Sequence, residues 1–331
     1  MKRTAYLGCL LFFLALAPTL AVAQAIDDRY TEYYAEQEPA KKAQLGEKFL
    51  ADFKETAYHD AVYKGVLELY VKLGNMPKVL DWATKLDQLI AKAEPQTKGL
   101  AYVRGLAAAQ QTNNNPQTIV FAEKVLTIAP DDPNTLLTLA GAVSRSAPAD
   151  AAGKKAALDK ALQHANKGIA ALAKTDAKTA GFSDADWKLL QGSLHGTAGE
   201  ILFNQGDYEK AAEQLVSATK AVPAEGVNWY LLGLTYEQQL NGTNRKYQAA
   251  HNERNLAIKN KADRATIDDL SATVDAFQEV MRSKIDEVIA TLATAVANGT
   301  QAARARLEAH YKQKNNDSLQ GLDQLIASKK K

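Results

Sequence analysis

Apolar residues recur at intervals of three and four along almost the whole chain, and the stripes come in pairs. The clearest pair carries Gly199 and Leu202 on its first stripe. Gly206-Asp207-Tyr208 breaks the pattern, and Ala211, Leu215 and Ala218 resume it up to Pro223. The spacing predicts two antiparallel helices joined by a tight turn. Gly206 can take the positive φ that ends the first helix. Gly199 and Ala211 are small enough to let the two helices touch, and Pro223 cannot continue the second. A new first stripe follows at once with Trp229, Leu232, Gly233 and Tyr236. Its partner is expected to carry Tyr247, Ala250 and Ala257, after a lengthened turn at Asn241 to Lys246.

Weaker copies lie upstream. Tyr63, Val66 and Tyr70 lead into a turn at Gly74-Asn75, and Pro77 opens a second helix with Val79, Ala83 and Leu86. Tyr102 to Gln110 reads as a first helix whose partner opens with Asn115 as cap and Pro116 as first helical residue. Asp132-Pro133 caps the next first helix, through Leu136, Leu139, Ala140 and Val143. Its partner is delayed by a loop at 146–153 and runs through Leu158, Leu162 and Ile169. The most degenerate pair is the first, Tyr30 to Gln37 and Pro39 to Phe53. The polar stretch 173–186 interrupts the series and ends in Ser183-x-x-Asp186, a capping box for a helix starting near Trp187.

This layout resembles the tetratricopeptide repeat (TPR) family. The residues that carry the resemblance are Trp229, Leu232, Gly233, Tyr236, Gly199, Gly206, Tyr208, Ala211, Ala218 and Pro223. The resemblance implies an all-α, right-handed TPR-like α-solenoid of about six helical pairs with a repeat near 34 residues. The array would cover 24–263, with a break expected at 173–186. In this family the first helices line the concave face. The residues so placed are Lys64, Glu68, Lys72, Asn134, Arg145, Glu200, Asn204, Tyr230 and Glu237, an expected partner-binding groove. Lys64 is followed by Glu68, so the basic clamp that some members use for a terminal carboxylate is not expected.

Residues 264–331 leave the repeat pattern. Thr266-x-x-Asp269 reads as a capping box for one long helix, with an apolar stripe through Ile267, Leu270, Val274, Phe277, Met281, Val288, Leu292 and Ala295. At ~1.5 Å per residue it is roughly 45–50 Å long. Two short helices follow. The segment is expected to cap the solenoid, and a homodimer through 264–298 is the alternative.

Composition narrows the class. Lys2 and Arg3, an apolar run at 7–16 and Ala21-Val22-Ala23 have the order of a cleaved export signal over 1–23, with Gln24 as the new N-terminus. Cys9 precedes the end of that run, so it is not placed for lipidation, and the remaining chain has no cysteine. Of the 40 Lys and Arg residues two lie in 1–23, so the rest balance the 38 acidic ones, and a nucleic-acid partner is not expected. No membrane span is expected after cleavage.

No chemistry is legible. The histidines His59, His164, His195, His251 and His310 offer no two-histidine helical face for a metal. Neither a phosphate loop nor a nucleophile elbow occurs. Asp27-Asp28, Asp131-Asp132 and Asp268-Asp269 sit at helix starts, where they complement the dipole. Neither cofactor nor catalysis is expected. The reading is an exported, periplasmic or secreted scaffold of the bacterial envelope that binds a protein partner along its groove. The alternative is a module for a short peptide or glycan fragment.

Overall fold

The computed structural model describes residues 22–53, 56–90 and 92–330, and among them all regular structure is helical. The export signal expected at 1–23 lies outside the described residues but for its last two positions. Contacts divide the chain into two compact units, which meet in sequence at Pro130 and Asp131.

The first unit holds helical residues 22–35 (α1), Pro39–Asp52 (α2), His59–Lys72 (α3), Met76–Thr84 (α4), Leu86–Leu89 (α5), Pro95–Gln111 (α6) and Asn115–Ile128 (α7). The Tyr33 ring of α1 lies against Gly46 of α2, where a Cβ would be only 2.9 Å from it. Next, α3 and α4 form a hairpin that α6 covers, and α6 pairs with α7. Gly74 turns the chain at φ +67°, and the Asn75 side chain caps α4 by accepting from the Lys78 N–H. Phe49, Val62, Tyr63, Val66 and Leu67 build the core. Beside it Glu47 of α2 accepts from Lys78 Nζ and Trp82 Nε1, both of α4 and both at 2.9 Å. One cap is shifted from its expected place. Asn114 caps α7, accepting from the Gln117 N–H, and Asn115 and Pro116 become its first two residues. Proline is tolerated there because the first N–H groups of a helix have no intrahelical acceptor.

The second unit holds Pro133–Arg145 (α8), Ala151–Leu172 (α9), Asp184–Gln205 (α10), Tyr208–Ala221 (α11), Gly226–Lys259 (α12), Arg264–Ala297 (α13), a 3-10 turn at Gln301–Ala303, Arg304–Lys314 (α14) and Leu322–Ser328 (α15). Successive helices pair as α8/α9, α10/α11 and α12/α13, and α9 packs on α10 across the 173–183 connection. Asp132, Asp150, Ser183 and Asp207 cap α8, α9, α10 and α11 through their side chains. With α1/α2, α3/α4 and α6/α7 the described residues hold six pairs, the expected number.

The sixth pair departs from expectation. No turn occurs at 241–246, and α12 runs unbroken for 34 residues. Gly242 is helical, with nothing within 4 Å of where its Cβ would be. The partner of α12 is α13, also 34 residues long, not a helix made of 247–257. Residues 264–297 are therefore half of the last hairpin rather than a separate cap. The physical reason lies in the joint. A Cβ on Gly233 would come within 2.6 Å of Leu292 Cδ2, so the small position that the repeat pattern supplies receives α13. One helical glycine costs about 1 kcal/mol, which the burial of Val288, Leu292 and Ala295 against α12 outweighs at about 25 cal/mol per Å². The cap of α13 is Asp263, which accepts from the Thr266 N–H at 2.9 Å, so Thr266 lies inside the first turn instead of capping it.

Candidate protein-interaction surface

The first helices of the hairpins place the expected groove residues, three of them in the first unit and six in the second. On α3, Lys64 and Glu68 are half-buried. Glu68 is engaged: Arg104 of α6 donates Nε to Oε1 at 2.8 Å and Nη2 to Oε2 at 3.1 Å. Such a two-point pair fixes the geometry of neighbouring first helices more than it invites a ligand.

In the second unit Asn134, Arg145, Glu200 and Asn204 are all exposed. They do not converge on one site. Asn134 lines a depression of about 390 Å³ with Leu137, Phe182 and Leu189. Arg145 folds back over Gly141 on its own helix. Asn204 borders a second depression of about 460 Å³, together with Lys154, Lys155, Asp159, Gln205 and Asp207. There Asp159 Oδ2 accepts from Lys155 at 2.7 Å, and Asp159 Oδ1 accepts from Gln205 Nε2 at 2.7 Å. Asp207 accepts from Lys210 Nζ, which holds its carboxyl below the usual aspartate range. Donors from Lys154, Lys155, Asn204 and Gln205 and acceptors from Asp159 and Asp207 share this rim, a mixture that suits an uncharged polar chain such as an extended peptide backbone. Lys154, Lys155 and Asp159 escape a reading of repeat periodicity because they come from a second helix, α9. The expectation places ligands on first helices only.

Tyr230 and Glu237 are not groove residues. The chain's own α14 covers them. Glu237 is 7% exposed and accepts from Arg306 Nη1 at 2.7 Å and from His310 Nε2 at 2.8 Å. Glu237 first, then Tyr230, holds the Arg306 guanidinium above its ordinary pKa against the effect of burial. Tyr230 packs into the cluster of Val288, Leu292, Ala303 and Leu307. Periodicity identifies which residues share a helix face, but Arg306 and His310 arrive from about seventy residues away.

The aromatic positions behave as packing. Trp229 donates Nε1 to the Pro223 carbonyl at 2.9 Å, and Trp82 and Trp187 are buried. His195 shares a hydrogen bond with Gln214 of α11 at 2.8 Å, across the α10/α11 joint. That joint decides the fold type. Gly206 takes φ +82°, Asp207 caps α11, and a Cβ on Gly199 would lie 2.6 Å from Leu215 Cγ and 3.3 Å from the Ala211 carbonyl.

The hairpins are tetratricopeptide-like.

Among solved structures the chain is similar to a tetratricopeptide repeat protein from Parabacteroides merdae, at 9% identity and a TM-score of 0.40, over 87% of this chain and 99% of that one. It is also similar to the human IFIT1 dimer with PPP-AAAA, at 15% identity and TM-score 0.30, over 90% of this chain and 65% of that one. A third is the Cut9–Hcn1 hetero-tetramer of the APC/C, at 14% identity and TM-score 0.25, over 82% and 52%. No family model matches the sequence, and no curated protein does. Among the described residues there is no group of three or more His, Cys, Asp or Glu side chains placed to hold a metal ion. No helix among them is long and apolar enough to cross a membrane.

Proposed function

We propose that this chain is a non-catalytic interaction scaffold of the bacterial cell envelope, which holds a protein segment against the polar face around the C-terminal end of α10. The observation that carries the reading is the depression beside Asn204. It is the place where an exposed residue of a first helix meets both donors and acceptors from a second hairpin. Tandem helical pairs expose much surface per residue, and that economy suits binding. The export half of the proposal is supported by the order of charges, apolar residues and small residues over 1–23. N-terminal sequencing of the protein recovered from cells should begin at Gln24.

The binding half is tested by affinity capture from an envelope extract with the native protein and with an N204A/Q205A double variant. Both alter only exposed or half-buried polar side chains, so the helices should remain folded by circular dichroism. Loss of the captured protein supports the site, and undiminished capture removes it. A second reading, a binder of short peptides or glycan fragments, is favoured by the size of the same depression, which takes a few residues or one or two sugar rings. A thermal-shift screen with envelope peptides and cell-wall fragments separates the two.

A further inference from the structure

The outer halves of α12 and α13 are unlike the rest of the second unit. From 243 to 283 the side-chain hydrogen bonds and ion pairs stay within one helix or its cap, and none of them joins α12 to α13. Between them runs a seam at alternating steps of three and four. Tyr247, Ala250, Arg254 and Ala257 form it on α12, and Leu270, Val274, Phe277 and Met281 on α13. Only Ala250 and Val274 are buried, because the α12 side is too small and too polar to cover the large residues facing it. Arg254 Nε is enclosed in the seam without a hydrogen-bond partner. Leu256, Ile258 and Val280 are exposed by 57, 51 and 45%. The inner half of α13 has no such freedom, since Val288, Leu292 and Ala295 are already core.

Charge divides between the two outer halves. On α12 and the turn after it stand Arg245, Lys246, Arg254, Lys259 and Lys261 against the single acid Glu253. On α13 and its cap stand Asp263, Asp268, Asp269, Asp275 and Glu279 against Arg264 and Arg282. Among these the only ion pair is Arg264 with Asp268, one turn apart on α13. Two adjacent helices of opposite sign that do not pair with each other make a self-complementary surface. A two-fold axis running along the hairpin lays each α12 against the other copy's α13, so all four contacts between neighbouring helices become antiparallel and opposite in charge. The other face-to-face arrangement, with the axis across the hairpin, sets basic on basic and acidic on acidic. A nucleic acid would meet the basic helix and be repelled by the acidic one beside it.

We infer that residues 243–283 associate with the same residues of a second copy into an antiparallel four-helix bundle, roughly 30 Å long at ~1.5 Å per residue. The contact is isologous, so it closes at two copies. The test is light scattering and sedimentation of the whole chain over a concentration series. The native chain should run at twice its monomer mass, and its dissociation constant should rise as salt goes from about 0.05 M to about 0.5 M. R245E/K259E and D275K/E279K should each raise that constant at least about tenfold, because two-fold symmetry doubles every pair lost. Mixing these two variants in equal amounts should restore a dimer, since each then offers the other the missing sign. A native chain that is monomeric throughout overturns the inference, as does a dimer indifferent to salt and to both reversals. Loss of the dimer without recovery on mixing overturns the proposed axis. Circular dichroism of each variant establishes that its helices are intact, and the salt series needs no variant at all.

Discussion

Replacing Glu237 by alanine should loosen α14 from α12 and leave partner capture intact. The carboxylate accepts two hydrogen bonds, from Arg306 at 2.7 Å and His310 at 2.8 Å, and is 7% exposed. Breaking a fully buried ion pair costs about 3–5 kcal/mol, but the Arg306 side chain is 52% exposed and rehydrates when released. His310 is 18% exposed and its Nδ1 already lacks a partner, so the loss at Nε2 leaves the ring without any hydrogen bond. One such loss costs about 1–1.5 kcal/mol. With a reduced contribution from Arg306 the sum is about 2 kcal/mol. For a unit of this size that corresponds to a fall in melting temperature of roughly 4–8 °C. Thermal unfolding measures the total, and amide exchange over 304–314 locates it. Glu237→Gln keeps an acceptor and should recover about half of the loss. An unchanged melting temperature together with unchanged protection of α14 would refute the assignment of Glu237 as a lock. Loss of capture in a folded E237A protein would return the residue to the binding surface.

Three further outcomes follow from the joints and caps. Gly242→Ala should stabilise the protein by about 0.5–1 kcal/mol, because the position is helical and open; a turn there would make the substitution destabilising in the same denaturant titration. Asp263→Ala should cost about 1 kcal/mol as the loss of the α13 cap, while Asp269→Ala, inside the helix, should change stability by a few tenths at most. Burial opposes ionisation of Glu47, yet hydrogen bonds from Lys78, Tyr70 and Trp82 hold its pKa below the ordinary 4.5. A group lowered in the folded state gives stability that is full above the ordinary value and lost as pH falls through the lower folded one. Acid titration of E47Q should therefore show a shallower decline below pH ~4.5 than the native chain, and an equal slope would remove Glu47 from the acid response.

The best-written part of the sequence is the α10/α11 hairpin, where local chemistry and tertiary contact agree. Gly206 needs a positive φ, Asp207 needs a helix to cap, and Gly199 needs a neighbour pressed close, and one geometry satisfies all three. Legibility fails where the two disagree. Asn241-Gly242-Thr243-Asn244 has the composition of a turn, and what overrides it is the apolar stripe of α13 packed along the opposite side. The error in the cap of α13 is of another kind. Thr266 and Asp263 both have capping side chains, and Asp263 is the one whose carboxylate accepts from the Thr266 N–H and hydroxyl. The expected groove is legible as a set of first-helix residues, of which Asn134, Arg145, Glu200 and Asn204 are exposed. It is not legible as a site, because the rim around Asn204 is completed by Asp159 from a different hairpin. Likewise the loss of Tyr230 and Glu237 depends on a helix that the repeat pattern does not contain.

A tandem array has no intrinsic length: whatever surface receives one hairpin can receive the next. In this chain the last such surface belongs to α12 and α13, and α14 is laid over it with Leu307 as its one buried residue. Its outward side presents Lys312 to solvent, while Lys314 reaches back to pair with Asp286 of α13. A copy stripped of α14 would present the apolar joint around Tyr230 and Val288 to any first helix nearby, and a head-to-tail contact of that kind propagates without closing. The Glu237 contacts to Arg306 and His310 thus keep covered a joint that would otherwise be open to a further helix.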